Sequence, residues 1–375
     1  MTWINKQFGD CAELIRNSIQ PDLSSSLNYI GLEHISQGGL ELLSTGKSED
    51  VISQKSLFRQ GDILFGKLRP YFRKIIIAPF DGVCSTDIWV VRAKPGYDQR
   101  FLFYWMATKE FVNNASQASE GTKMPRASWE YVSKFEKLIP TLIEQRAIAD
   151  VLSALDDKIE LNRRMDQTLE ELAQTLFKNW FVNNPESKNW ENGILGDDFN
   201  LTMGQSPPGS SYNEDRIGVP FFQGKTDFGF RYPDNRIYCT APTRFAKAGD
   251  TLVSVRAPVG NTNLAFEDCA IGRGVAAVRH RSNSRSFTYY SLQNLYPEFQ
   301  NFESEGTVFG SINKDSFLSL KVIRPPAELV NLFEETCFPI DQLIENNLKE
   351  SRTLIELRDT LLPKLMSGQV RVKHD

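Results

Sequence analysis

Two sets of residues in the 375-residue chain, the first with aromatics interleaved, combine cations with glycines in a way that suits contact with a nucleic-acid duplex. The first is Gly61-Asp-Ile-Leu-Phe-Gly-Lys67-Leu-Arg69-Pro-Tyr71-Phe-Arg73-Lys74, with Lys123 and Arg126 further along the same segment. The second gathers Gln223 and Lys225 from Gln223-Gly-Lys-Thr, Arg256 from Arg256-Ala-Pro-Val-Gly, and Arg273 from Gly272-Arg-Gly. Arginine and lysine can fork onto guanine O6 and N7, glutamine onto adenine, and all of them can hold phosphate. Neighbouring glycines let backbone approach closely. A solvated basic loop is the alternative for any single cluster. Similar clusters in the two copies, with Lys67 and Arg256 each shortly after a Gly-Asp landmark (Gly61-Asp62 and Gly249-Asp250), make coincidence a weaker explanation.

Catalytic chemistry is harder to find. Gly39 to Gly46-Lys-Ser and Gly218 to Gly224-Lys-Thr imitate a phosphate-binding loop, but their spacings exceed the four intervening residues that wrap a phosphate. No glycine-rich methyl-donor loop accompanies an Asn/Asp-Pro-Pro-aromatic motif. Asp156-Asp-Lys158 resembles part of a nuclease site but falls on a heptad helix, where a solvated face is the simpler expectation. The five cysteines form no CxxC pair, and His34, His280 and His374 are not spaced with them as metal ligands. Reduced thiols in a bacterial-type cytosol are expected, with no bound metal or cofactor. No apolar run reaches the roughly 18 to 20 residues of a membrane span.

The elements that must position the clusters come from a repeat. Shifting the sequence by 185 residues superposes 139–182 on 324–367 without a gap, with identities such as Pro140/Pro325, Asp156/Asp341, Asn162/Asn347, Leu172/Leu357 and Leu176/Leu361. Apolar residues at Ile148, Leu152, Leu155, Ile159, Leu169, Leu172, Leu176 and Trp180 give an alternating three-and-four spacing, a heptad seam. Thr141-Leu-Ile-Glu144 fits a capping box at its start, and Asn183-Asn-Pro185 ends it. The second seam runs Phe333, Cys337, Ile340, Ile344, Leu354, Leu357, Leu361 and Leu365, with bends or breaks expected at Pro339 and Pro363 and a C-cap at Gly368. Asn162 and Asn347 sit at the same register, where a seam amide penalises slipped pairing; the edge of a solvated face is the alternative.

Net charge is -4, and the acidic excess lies wholly in the helical segments: 140–182 carry +5 and -8, and 325–375 carry +6 and -9. The remaining segments are balanced. β-rich runs at Lys74–Ala78, Asp87–Val91 and Gly274–Val278, with helices at Phe101–Asn113 and Phe287–Gln300, give an α+β class. The expected organisation is two globular domains, 1–139 and 183–324, separated by two long antiparallel coiled-coil helices, 140–182 and 325–368, with a tail at 369–375, as an internal pseudo-twofold repeat.

The helix motifs Glu144-Gln-Arg-Ala-Ile-Ala-Asp-Val-Leu-Ser-Ala-Leu-Asp-Asp-Lys-Ile-Glu-Leu-Asn162 and Leu176-Phe-Lys-Asn-Trp-Phe-Val182 resemble the central conserved region of type I restriction-modification specificity subunits. The ending Leu357-Arg-Asp-Thr-Leu-Leu-Pro-Lys-Leu-Met-Ser-Gly-Gln-Val-Arg-Val372 is similar to that family's C-terminal region. Gly204-Gln-Ser-Pro-Pro-Gly and Ser254-Val-Arg-Ala-Pro-Val-Gly260 resemble phrases of its target recognition domains. The resemblance implies a non-catalytic cytoplasmic subunit in which each domain reads half of a bipartite, asymmetric site on double-stranded DNA. It implies that the helices set the half-site spacing and recruit modification (methyltransferase) subunits, expected to be two, with a restriction subunit joining later. S-adenosylmethionine, ATP and Mg are then expected on those partners only.

Overall fold

The computed structural model describes residues 3–21, 26–117, 124–303 and 310–372. Lys123 and His374 lie outside the described residues. The chain forms two compact units: residues 1–161 with 349–375, and residues 162–348. Each combines one α+β domain with parts of both long helices, Leu142–Phe177 and Ala327–Met366.

In the first unit a four-stranded antiparallel sheet runs in the order Ala12–Ile15, Ile88–Ala93, Ile63–Gly66, Ile75–Ile77. A second sheet of five short strands follows the order Ser18–Ile19, Lys55–Phe58, Gly82–Cys84, Asn28–Ile30, Gly46–Lys47. Apolar runs replace simple alternation because the four-stranded sheet is covered on both faces. Ile63, Phe65, Trp89 and Val91 enter the core shared with helix Gln99–Ala107, whereas Leu64, Ile88 and Val90 enter the core that includes Ile30, Phe58 and Cys84 of the second sheet. The helix expected over Phe101–Asn113 is two helices, Gln99–Ala107 and Lys109–Gln117, divided at Thr108. The Thr108 hydroxyl accepts from Phe111 N at 3.1 Å and so starts the second helix.

The second unit repeats this plan strand for strand. Its four-stranded sheet is Phe199–Met203, Val275–His280, Thr251–Ser254, Thr262–Leu264, and Val253 and Val278 face one core while Leu252 and Ala277 face the other. Its five-stranded sheet keeps the parallel central pair: Val219–Phe222 beside Cys269–Ile271 corresponds to Asn28–Ile30 beside Gly82–Cys84. One strand breaks the match. Ser18–Ile19 adds to Lys55–Phe58, but its chain equivalent Tyr212–Asn213 adds to Tyr238–Cys239, at the opposite edge of the sheet.

Within each unit the two helices pair antiparallel. Ile148, Ala149 and Leu152 meet Leu362, Leu365 and Met366 in one core. Ala173, Phe177 and Phe181 meet Val330, Phe333 and Cys337 in the other. Several sequence expectations change here. Pro339 and Pro363 do not break the C-terminal helix, which is continuous over Ala327–Met366. Gly368 does close it, at φ +74°, with its N–H donated to Leu365 O. Thr141 Oγ accepts from Glu144 N, but the Glu144 carboxylate does not complete the capping box; it takes Trp3 Nε1 at 3.0 Å and Arg371 Nη1 at 2.7 Å.

The seam also rotates. Beyond Asn162 the buried residues are Asp166, Glu170, Ala173 and Phe177, so Leu169 and Leu176 are half-buried and Leu172 is 47% exposed. In the second helix Leu357 is 44% exposed while Arg358 is buried; Leu354 and Leu361 are half-buried. Ile159 and Ile344 are buried, and Leu155 is half-buried. A periodicity count follows leucines, and it missed that polar side chains carrying specific partners occupy the inward positions.

Candidate nucleic-acid interface

The loops at one end of the four-stranded sheet build the site in each unit. In the second unit the chain leaves strand Thr251–Ser254 into Val255-Arg256, and Ile312 N donates to Val255 O at 3.1 Å while Ala257 N donates to Gly310 O at 3.0 Å. In the first unit the same ladder reappears: Ala127 N to Lys67 O at 2.9 Å and Arg69 N to Pro125 O at 2.8 Å. These bonds pin each basic loop to a second loop from the far end of its domain. Backbone equivalence, rather than sequence, therefore aligns Leu68 with Arg256 and Arg126 with Ser311, the partners of matching isolated bridges. Cations occupy corresponding loops but different positions within them.

In the second unit Gln223, Lys225, Arg256 and Arg273 converge on one cleft of about 350 Å³, joined by Ser206 and Thr226. The first four come from three separate loops of the sequence, Gln223 and Lys225 sharing one, and are all exposed. Asp227, itself buried and outside the cleft lining, accepts from Gln223 N at 2.7 Å and fixes that loop. Gly274 is required by close approach, since a Cβ there would lie 2.2 Å from Gln223 O. No hydrogen bond or ion pair occupies the side chains of Lys225, Arg256 or Arg273 among the described residues. Three cations converging on one opening without a carboxylate make a site of concentrated positive potential.

The first unit's cleft, about 520 Å³, is lined by Arg16, Ser18, Ser56, Lys67, Thr86 and Arg126 among others. The first cluster of the sequence divides here. Lys67 faces this cleft, Arg69 is exposed beside it, and Tyr71 is 53% exposed with its ring edge-to-face on Phe72. Arg126 forks onto Asp87 at 2.8 and 3.2 Å. Arg73 and Lys74 have other work. Arg73 Nη2 donates to Gly38 O and lies 3.7 Å from Asp359 of the C-terminal helix. Lys74 Nζ donates to Leu32 O at 2.6 Å and Ile35 O at 2.8 Å, and burial lowers its pKa. Both are occupied in holding loops, which the run of cations did not reveal. Arg16 and Ser206 went unnoticed in the sequence because each is a lone polar residue with no local pattern around it.

The Gly-Asp landmarks are structural. Asp62 is buried, caps Arg59 N and receives Arg92 in a fork at 2.8 Å on both oxygens; Asp250, also buried, caps Lys247 N and receives a single bond from Arg279 Nε. Gly61 and Gly249 stand at φ +88° and +83°, the left-handed turn before each carboxylate. They set the strand that delivers the basic loop.

Asp156 and its repeat partner Asp341 tie domain to helix. Asp156 is not on a solvated face: it accepts Arg358 Nη1 at 2.8 Å and Tyr104 OH at 2.6 Å, and the tyrosine is correspondingly held neutral by burial and by that carboxylate. Asp341, fully buried, takes Ser286 Oγ at 2.6 Å, Tyr290 OH at 3.2 Å and the buried guanidinium of Arg231, which also contacts Glu170. Asn347 Nδ2 donates to Asp166 at 2.8 Å, and Asn162 Nδ2 reaches Asn347 O at 3.4 Å, so both asparagines sit inside the helix pair. Among the described residues no cluster of histidine, cysteine or carboxylate could hold a metal ion, and no helix is long and apolar enough to cross a membrane.

The family model described as type I restriction modification DNA specificity domain matches twice, at residues 2–171 and 187–350. A putative type I restriction enzyme MjaX specificity subunit of Methanocaldococcus jannaschii is 28% identical over 99% of this chain and 94% of its own. The type I restriction enzyme HindI specificity subunit of Haemophilus influenzae is 24% identical over 84% of this chain and 88% of its own. The crystal structure of a type I restriction-modification system S subunit from M. genitalium shares the fold, with a TM-score of 0.63 at 17% identity over 98% of this chain and 96% of that one.

Proposed function

Because this chain belongs to the type I restriction modification DNA specificity family, we propose that it is the sequence-reading subunit of a modification and restriction complex, each unit reading one half of a bipartite site on double-stranded DNA. The observation that carries the reading is the convergence of Gln223, Lys225, Arg256 and Arg273 on one cleft, with Lys67, Arg69 and Arg126 on the corresponding loops of the first unit. Glutamine and arginine forks match adenine and guanine edges, and unpaired lysines match phosphate. Because the two clefts differ residue by residue, their half-sites differ and the target is asymmetric.

The helices supply the spacing and the partner surface. Leu172 and Leu357, identical at equivalent helix positions, are both exposed, as are Leu161 and Leu343. Exposed leucines on paired helices suit apolar docking by modification subunits, two in keeping with the pseudo-twofold repeat, with a restriction subunit joining them. Catalysis, S-adenosylmethionine, ATP and Mg then belong to those cytoplasmic partners, and this chain supplies the address.

Duplex binding measured against salt, with and without partner, tests the reading. Lys67→Ala or Arg256→Ala should weaken DNA binding and reduce the salt slope by about one each while partner assembly persists. Leu172→Glu with Leu357→Glu should do the reverse. Sequencing the modified bases of a host carrying the complex should return a split, asymmetric site. Adding four residues to both helices lengthens each by about 6 Å, near two base pairs, and should lengthen the spacer; an unaltered spacer would show that the helices do not set it.

A further inference from the structure

Arg126 stands apart from the other cleft cations. Lys67 in its own cleft, and Lys225, Arg256 and Arg273 in the other, have no carboxylate partner among the described residues. Arg126 is clamped by Asp87, with Nε on Oδ1 at 2.8 Å and Nη2 on Oδ2 at 3.2 Å. Both members of the pair are held from behind. The Asp87 carbonyl accepts from Lys67 N at 2.9 Å, and the Asp87 N–H donates to Ser85 Oγ at 3.2 Å. Arg126 is bridged to Leu68 and flanked by the two backbone bonds that pin its loop. An exposed pair of this kind does little for stability, and Arg126 is 49% exposed at its side chain. What the clamp does is fix a long, flexible side chain in one orientation.

That orientation has chemical content. A guanidinium carries five N–H donors in a planar fork. Asp87 uses the edge formed by Nε and Nη2, which leaves the outer edge, Nη1 with the second Nη2 hydrogen, as a free two-donor fork at the cleft. Two parallel donors match the O6 and N7 acceptors of guanine in the major groove. A phosphate could accept the same fork. The Asp87 carboxylate, a quarter exposed beside it, repels a charged phosphate more strongly than a neutral base edge. Pre-ordering removes rotamer entropy that an unclamped arginine would lose on binding.

We infer that Arg126, positioned by Asp87, is a specificity-determining residue of the first unit and reads a guanine in its half-site. The inference rests on the DNA-specificity reading above. The test uses the full chain assembled with its modification subunits and a duplex panel in which every position of the first unit's half-site carries each base pair in turn. Wild type should prefer G·C at one position by roughly ten- to a hundredfold. Arg126→Lys keeps the charge but loses the fork, and should cut that preference to about threefold or less, with the other half-site unaltered. Asp87→Asn should loosen the same position by a smaller factor. An unchanged base preference in both Arg126→Lys and Arg126→Ala would overturn the inference. So would a uniform loss of affinity across the whole panel, the mark of a phosphate contact. A wild-type complex indifferent to every duplex would strike at the specificity reading itself instead.

Discussion

Asp156 and Asp341 occupy the same register of two repeated helices, and each binds an arginine and a tyrosine, yet the arginines come from different places. In the first unit Arg358 arrives from the paired helix, and its carboxylate partners Asp156 and Asp359 remain 25% and 39% exposed. In the second unit Arg231 arrives from the domain, between Gly229 and Pro233, and is sealed with Glu170 and Asp341 at or near zero exposure. The carboxylate was retained through the repeat while its counter-charge was supplied anew. The same holds for the fifth strand of the second sheet, which joins opposite edges in the two units. What persists is the demand for a partner, for a carboxylate or for a sheet edge, and what diverges is the segment that meets it.

Arginine substitutions should separate the two units most strongly. Arg231→Met strands two buried carboxylates and should cost the second unit about 3–5 kcal/mol. Arg358→Met leaves its carboxylates reachable by water and should cost the first unit about 1–2 kcal/mol. Hydrogen exchange resolved by unit is the measurement, since a chain of two units need not unfold in one step. Equal losses in both units would end the distinction. Adding Glu170→Leu and Asp341→Leu to Arg231→Met should recover most of the loss, because an apolar core replaces the triad.

Acid should separate the units next. Burial raises the Asp166 carboxyl to about 6, against the opposing pull of the Asn347 bond and Arg231. Its folded pKa lies above the free aspartate value, so folding favours the protonated form. That contribution is complete below about pH 4 and disappears as pH rises through about 6. The second unit should therefore gain on the order of 1–2 kcal/mol between pH 7.5 and pH 4.5 from this group. Serine stands at the equivalent position, Ser351, and offers the first unit no such term. Asp166→Asn should flatten the difference in urea titrations at the two pH values; a persistent gap would assign it elsewhere.

The smallest effects divide structural from reading cations. Lys74→Ala orphans the carbonyls of Leu32 and Ile35 and should cost the first unit about 1 kcal/mol without changing the salt slope of DNA binding. Arg273→Ala should leave stability within about 0.5 kcal/mol and weaken duplex binding. Reversed outcomes would exchange the roles assigned to these residues.

How much of this was legible in the sequence depends on the range of the interaction concerned. Heptad spacing located both helices to within a few residues, and their repeat identities showed two copies of one plan. Gln223, Lys225, Arg256 and Arg273 were each marked by flanking glycines or prolines, a local signal that survives without coordinates. Arg73 and Lys74 looked the same locally and differ only because Gly38, Leu32 and Ile35 lie beside them in space. The inward turn of Asp166, Glu170 and Arg358 was hidden for a related reason: a charged residue in a leucine seam reads as surface until its partner is seen.

The duplication, the α+β class, the helices and the family were all open to reading along the chain, because they follow from short-range periodicity and from identities held in register. The tertiary structure decided which cations face a cleft, which carboxylates are sealed and which edge the fifth strand joins. Those outcomes depend on contacts between residues far apart in the chain, where burial makes an unpaired charge or amide so costly that whichever segment can reach it becomes its partner.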